Sequence, residues 1–225
     1  MNTQPLKREN LHIVSTASTF SKAYTYGYEP LATGESIPNF YLPAQHVVSK
    51  QLLSGSLSRE AFISLQDFLD DQQPLVIAFL GAPGQAAVNI QLLERLHDII
   101  QAQGGRLLIF TAIEPKYLRR QLKQSGTLHI FYDEDNTIAE LFGLYDIQNP
   151  LWQWASGIEE EEQSLPAVYV VAPDSKVAFS YVDYNFNLFI DNPYPLQSIS
   201  KALLDVVNEL SVQYHYQREA YKLVS

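Results

Sequence analysis

Two short, almost continuous apolar runs dominate the hydrophobic pattern of the chain, at residues 75–80 and 106–111. Runs of this length and composition predict strands that are covered on both faces, as in a parallel or mixed sheet. Between them, apolar residues recur at helical spacing, and Gly104-Gly105 follows as a helix terminator. The residues with this spacing are Leu92, Leu93, Leu96, Ile99 and Ile100. The order strand, helix, strand predicts a right-handed parallel crossover.

The alternation of strands and helices continues through the rest of the chain. Residues 115–124 predict a helix, residues 128–132 a strand, and residues 137–144 a short helix closed by Gly143. The two β-rich runs that follow, separated by a four-residue turn, predict an antiparallel hairpin. They are residues 167–172 and 177–182. A final helix is predicted from about residue 195 to residue 211.

The amino-terminal part has a weaker pattern. Residues 1–33 show no sustained period, and we expect an extension that packs on the domain. Residues 37–42 predict a short edge strand, where Pro38 is tolerated. Residues 58–69 have the spacing of an amphipathic helix of about three turns, beginning at Ser58. We therefore expect one domain over residues 34–211, followed by a tail over residues 212–225.

The charge balance excludes some classes of partner. The formal net charge is −10, and no cluster of lysine and arginine interrupts it. Such a field repels nucleic acids, so no nucleic-acid partner is expected. No run approaches the length of a membrane span, and the first residues lack the apolar stretch of a secretory signal. These observations favour a cytoplasmic protein with no membrane partner.

Candidate chemistry is limited first by the absence of cysteine from all 225 residues. Disulfides, thiolate metal sites and cysteine nucleophiles are excluded. The five histidines have no metal-binding spacing, and residues 159–162, all glutamate, are typical of a solvated loop. No metal, cofactor or catalytic residue is predicted.

Three segments carry a resemblance to a known family. Residues 34–40 read Gly-Glu-Ser-Ile-Pro-Asn-Phe, residues 133–144 combine an aspartate with Ala-Glu-Leu-Phe-Gly-Leu, and residues 166–171 read Pro-Ala-Val-Tyr-Val-Val. Together they resemble the alkyl hydroperoxide reductase/thiol-specific antioxidant family of peroxiredoxins. The resemblance implies a peroxiredoxin-type, thioredoxin-like α/β fold, a three-layer α/β/α sandwich with a central mixed sheet. It also implies that Pro166 is a cis-proline beside the active site.

The chain departs from this family where the chemistry would be. Alignment on the strand at residues 75–80 places residues 84–89 over the family's Cys-Pro-x-Cys segment. Gln85 then stands at the position of the peroxidatic cysteine and Val88 at that of the second cysteine, while Ala82 replaces a hydroxyl residue. A thiolate at a helix N-terminus is stabilised by free N–H groups and the helix dipole, but glutamine has no nucleophilic atom. Peroxide reduction by the family mechanism is therefore excluded.

Two functional hypotheses remain open. In the first, the chain is a non-catalytic protein that binds itself as a homodimer or binds an unknown protein partner. In the second, an enzyme or small-molecule binder has recruited non-thiol chemistry at the same cleft, for instance with Gln85 and Asn89. A flat or filled cleft favours the first, and a deep polar pocket favours the second. The candidate site is the same in both: Ala82, Pro83, Gly84, Gln85, Val88, Asn89, Pro166 and Trp152.

Some of these features have simpler structural interpretations. The turn at residues 81–84 can offer backbone N–H groups to an anion, or can be only a turn of the fold. Trp152 and Trp154 can roof a pocket, or can pin a long loop onto the core. The segment 181–194, which is rich in tyrosine and phenylalanine and also holds Asp183, can form a contact surface or can pack on its own domain.

Overall fold

Seven strands and five helices are defined over the residues that the structure describes. The computed structural model describes residues 28–43, 46–48, 62–69, 72–81, 90–121, 128–153, 163–184 and 194–222. In chain order the elements are β1 (Tyr41–Pro43), β2 (Phe62–Ser64), α1 (Leu65–Leu69), β3 (Leu75–Leu80), α2 (Ile90–Ala102), β4 (Arg106–Thr111), α3 (Pro115–Gln121), β5 (His129–Tyr132), α4 (Thr137–Leu141), a 3₁₀ turn (Leu151–Gln153), β6 (Ala167–Val171), β7 (Val177–Val182) and α5 (Tyr194–Lys222).

A five-stranded mixed sheet lies at the centre, with the strand order β5-β4-β3-β6-β7. Strand β3 is parallel to β4, and β4 is parallel to β5. Strand β6 runs antiparallel to β3 and forms a hairpin with β7. The predicted parallel crossover and the predicted hairpin are both confirmed.

Apolar layers cover both faces of this sheet. One face packs against α1 and α4, and the other against α2, α3 and α5. Every residue of β3 and of β6 is buried. This arrangement explains why their sequences are continuous apolar runs without alternation. The predicted α/β sandwich with a central mixed sheet is confirmed.

The helix predicted over residues 58–69 is wrong at residues 62–64, and residues 58–61 lie outside the described part of the chain. Residues 62–64 form β2, which pairs with β1 so that Ile63 lies opposite Leu42, and both are buried. The helix begins after Ser64, whose backbone N–H and hydroxyl both lie within hydrogen-bond distance of the Asp67 carboxylate. These contacts form a cap that satisfies the helix start locally. The edge strand predicted over residues 37–42 is also wrong in its bounds, because the observed strand β1 spans Tyr41–Pro43.

Helix α5 continues well beyond its predicted end at residue 211. It has 29 residues and is therefore about 44 Å long at the usual helical rise. Ile199, Leu203 and Val207 are buried against the sheet, whereas Val212 and Tyr216 further along are 47% and 71% exposed. Apolar burial ends before the helix does, so hydrophobic periodicity placed the end too early. Within the described ranges, no helix is long and apolar enough to cross a lipid bilayer.

Candidate functional site

The candidate site lies at the edge of the sheet where β3 and β4 end and β6 begins. Leu80 lies beside Thr111 in the parallel pair, and Phe79 lies opposite Ala167 in the antiparallel pair. The hydroxyl of Thr111 donates to the Leu80 carbonyl at 3.4 Å and accepts from the Ile113 N–H at 3.1 Å. Loops that follow β3 and precede β6 must therefore meet at this edge.

Gly81 allows the two loops to approach closely. A Cβ atom at this position would overlap the carbonyl oxygen of Ser164 and would lie 3.0 Å from Cδ of Pro166. A larger residue would push the segment before β6 away from the end of β3. Gly81 is therefore required by backbone contact, whatever ligand the site holds.

The segment at residues 163–166 is buried and fixed by main-chain hydrogen bonds. The Leu165 N–H donates to the Leu144 carbonyl at 2.8 Å, and the Asp183 N–H donates to the Pro166 carbonyl at 2.8 Å. Such bonds on both sides of the segment give this edge a defined geometry. Pro166 lies beside the end of β3, and its place in a functional site stays a prediction.

The expectation that Pro166 is a cis-proline is wrong. No cis peptide bond occurs among the described residues, which include Leu165 and Pro166. The trans isomer is intrinsically favoured for an X–Pro bond. The Leu165 N–H and the Pro166 carbonyl make their hydrogen bonds with a trans bond between these two residues.

Most of the other predicted site residues lie outside the described part of the chain. These residues are Ala82, Pro83, Gly84, Gln85, Val88 and Asn89. The backbone of Trp152 lies in the 3₁₀ turn Leu151–Gln153, but its side chain is outside the described part. Trp154 and the glutamates 159–162 are outside it as well. The structure thus brings Pro166 and Gly81 together and does not test the remaining residues.

Four buried polar residues at or near this edge were not part of the predicted site: Thr111, Gln163, Ser164 and Asp183. Asp183 was assigned to a candidate contact surface, but it is only 2% exposed. Buried polar groups need hydrogen-bond partners. The position of Asp183 directly after a predicted strand could therefore have indicated, from the sequence, a polar residue that takes part in the structure of this edge. Their hydroxyl, amide and carboxyl groups can donate and accept hydrogen bonds, and none of them is a thiol.

Two residues from the segments that carry the sequence resemblance, Asp133 and Phe142, contact the strands that end at this edge. Asp133 is buried and accepts hydrogen bonds from the N–H groups of Ile138 and Ala139. Burial raises the pKa of Asp133, and these hydrogen bonds offset the rise only in part. Phe142 packs against Phe79, with ring centroids 4.9 Å apart. These contacts are structural, so the resemblance rests on residues that hold the fold.

Tyr169 contributes a buried hydroxyl to the same side of the sheet. It is fully buried on β6, and within the described part of the chain its hydroxyl has no hydrogen-bond partner. Burial raises its pKa, so the hydroxyl stays protonated at any physiological pH. Among the described residues, no three histidine, aspartate or glutamate side chains are grouped so as to hold a metal ion.

Comparisons of the structure with solved structures identify the fold. The chain is similar to peroxidoxin BcpB from Mycobacterium tuberculosis, with 14% identity, a TM-score of 0.52, and coverage of 80% of this chain and 97% of that one. It is similar to thioredoxin peroxidase I from Plasmodium yoelii, with 16% identity, a TM-score of 0.53, and coverage of 83% and 93%. It is also similar to a thiol peroxidase from Chromobacterium violaceum, with 17% identity, a TM-score of 0.52, and coverage of 79% and 88%.

At these identities the similarity concerns the fold alone. No protein-family model matches the sequence, and no curated protein matches it. The chain therefore has the peroxiredoxin-type thioredoxin fold, and it has no cysteine.

Proposed function

We propose that this protein is a non-catalytic protein of the peroxiredoxin fold that acts as a binding or interaction module. The observation that carries the proposal is the absence of cysteine from a chain that otherwise builds this fold. The thiolate is the reacting group in thiol peroxidases and disulfide oxidoreductases, so that chemistry has no reagent here. Function on a shared fold depends on the site, and this site retains its framework without the nucleophile.

The framework of the site supports binding. Residues 163–166 are buried and held by the Leu165 and Asp183 hydrogen bonds, so this segment is already ordered before a ligand binds. A preformed surface avoids part of the entropic cost of association. We propose that Trp152, Ala82, Pro83, Gly84, Gln85, Val88 and Asn89 form this surface, and that the buried Pro166 supports it.

Exposed apolar side chains support a protein partner or a homodimer. Tyr41 and Phe62 lie on the outer face of the two-stranded sheet, and each is 64% exposed. Aromatic residues are enriched at protein interfaces. The expected cytoplasmic location remains a prediction, which cell fractionation would test.

A single introduced cysteine can test the proposed surface, because the chain has no other thiol. Gln85→Cys carries a photoreactive crosslinker at the surface, and Asn208→Cys carries it on an exposed position of α5 as the matched control. We expect crosslinks from position 85 to a second copy or to a partner, identified by mass spectrometry, and few from position 208. Equal capture at both positions, or none at position 85, would contradict binding at this surface.

Peroxide consumption tests the non-catalytic part of the proposal. The unmodified protein with a dithiol reductant is expected to consume hydrogen peroxide no faster than the reductant alone. Measurable turnover by the purified protein would overturn the proposal. Conversion of a small molecule bound at the cleft would instead favour the alternative, an enzyme with recruited non-thiol chemistry.

A further inference from the structure

Two histidines from distant parts of the chain meet at the other end of the sheet. His97 lies on α2 and His129 is the first residue of β5, and their rings pack edge to face with centroids 6.4 Å apart. His97 is only 9% exposed. The pair therefore joins a covering helix to an outer strand of the sheet, far from the site described above.

His129 is suited to packing in its neutral form and poorly suited to carrying a charge. Its Nδ1 atom is buried and has no hydrogen-bond partner among the residues that the structure describes. In the neutral ring this atom can be a lone pair, at the modest cost of one missing hydrogen bond. In the protonated ring it would be a buried cationic N–H without an acceptor, which is much more costly.

The charges around His129 add to this preference. Burial is the main cause that lowers the pKa of His129. Electrostatic interactions with His97 on α2 and with Arg106 at the start of β4 lower it further. Asp98 lies 3.3 Å from Nδ1 of His97, but its side chain is 74% exposed, so water screens it. His46 lies at the far end of β5, against the carbonyl of Tyr132.

Strand β5 is the outer strand of the five-stranded sheet on the side of β4. It pairs with β4 along one edge, and residues 46–48 lie along the other through a hydrogen bond from the Val48 N–H to the Ile130 carbonyl. Leu128 and Ile130 pack in the same apolar cluster as Leu96 of α2. A charge at His129 would therefore act on the boundary between α2 and this short strand.

We propose that the contact between His97 and His129 is an acid-sensitive latch that holds α2 against β5 at neutral pH and loosens when the His129 ring takes up a proton. The unfolded chain binds a proton at this position more readily than the folded chain. The latch is therefore complete above the ordinary histidine pKa, and its stabilisation is lost as the pH falls through that value towards the lower folded-state pKa. This inference does not depend on the proposed binding function.

Histidine ring signals in the NMR spectrum of the intact protein provide the first test. We expect the His129 ring to titrate at a lower pH than the ordinary histidine pKa. Amide exchange measured by mass spectrometry, corrected for intrinsic rates, should accelerate about threefold to tenfold between pH 7.5 and 5.5 in peptides from β5 and α2. Peptides from β3 should not accelerate, because that strand lies at the centre of the sheet.

Two variants separate the latch from general acid sensitivity. His129→Gln removes the titrating group and should reduce the acceleration in β5 and α2 to less than about twofold. His215→Gln, the matched control, should leave it unchanged. The latch is overturned if His129 titrates at the ordinary histidine pKa in the unmodified protein, a result that needs no variant to fold. Acceleration of the same size in His129→Gln would overturn it as well.

Discussion

The carboxylate of Asp133 accepts a hydrogen bond from the backbone N–H of Ala139, with an Oδ2–N distance of 2.9 Å. The same carboxylate accepts from the N–H of Ile138. Asn136, the residue at the helix N-cap, makes no side-chain capping bond. A residue upstream of the cap thus satisfies the first N–H groups of α4, and Asp133 is 4% exposed while it does so.

Asp133→Ala is expected to destabilise the protein by about 2–3 kcal/mol, because two buried N–H groups would lose their acceptor. Urea denaturation at pH 7 measures this loss. Glu134→Ala changes the exposed neighbouring acid and should stay within about 0.5 kcal/mol of the unmodified protein. Equal effects of the two substitutions would show that the cap contributes little.

Asp133 also predicts a pH dependence of stability. Burial raises its pKa above the ordinary value, so the folded state holds this proton more tightly than the unfolded state. The contribution of Asp133 to stability should therefore fall as the pH rises from the ordinary aspartate pKa through the raised one. Asp133→Asn cannot ionise and should lack this component. We expect the free energy of unfolding of the unmodified protein, minus that of Asp133→Asn, to decrease from pH 3.5 to pH 7. A difference that is constant or increases would contradict the prediction.

Substitutions at two glycines with positive φ can distinguish the cost of backbone strain from the cost of steric overlap. Gly143 has φ +69°, and a Cβ atom there would overlap the carbonyl of Glu29, whereas Gly34 has φ +95° with nothing near. Gly34→Ala should cost about 1 kcal/mol from strain alone. Gly143→Ala should cost about 1–2 kcal/mol more, because the chain at Glu29 must move. Thermal unfolding of both variants measures the difference, and a smaller loss for Gly143→Ala would contradict the described contact.

Two buried tyrosines should respond in opposite ways to loss of the hydroxyl. The Tyr169 hydroxyl is buried and has no hydrogen-bond partner among the described residues, so Tyr169→Phe should leave stability unchanged or raise it by up to about 1 kcal/mol. The Tyr28 hydroxyl donates to the Asn149 carbonyl at 3.1 Å, and burial raises the pKa of Tyr28 to about 12. Tyr28→Phe should cost about 0.5–1.5 kcal/mol. A clear loss of stability in Tyr169→Phe would mean that its hydroxyl has a partner in the native protein.

The position of Gln85 in the inherited site can be tested by restoring a thiol. If Gln85 stands where the family has its reactive cysteine, the thiol of Gln85→Cys should have a lower pKa than that of the exposed control Asn208→Cys. The rate of alkylation by iodoacetamide as a function of pH measures both values. Identical titrations would show that position 85 does not lie in such a field.

The residues of the candidate site were only partly accessible to sequence reasoning. Alignment with a family placed Pro166 at the edge of the sheet because the strand beside it has a recognisable apolar pattern. Asp183 and Ser164 were missed as buried polar residues, because burial at a loop depends on elements that are distant in the chain. The apposition of His97 and His129 was missed for the same reason, since neither histidine has a spacing that indicates a partner.

The sequence by itself determined the sheet-forming segments of this protein and what chemistry it lacks. The strands β3, β4 and β6 and the helix α2 follow from local periodicity, which is a property of neighbouring residues, and the lack of a thiol follows from composition. Tertiary structure alone decided that residues 62–64 pair with β1 and that Asp133 caps α4. Pairing and capping depend on which distant groups come within hydrogen-bond distance, and no local pattern contains that information.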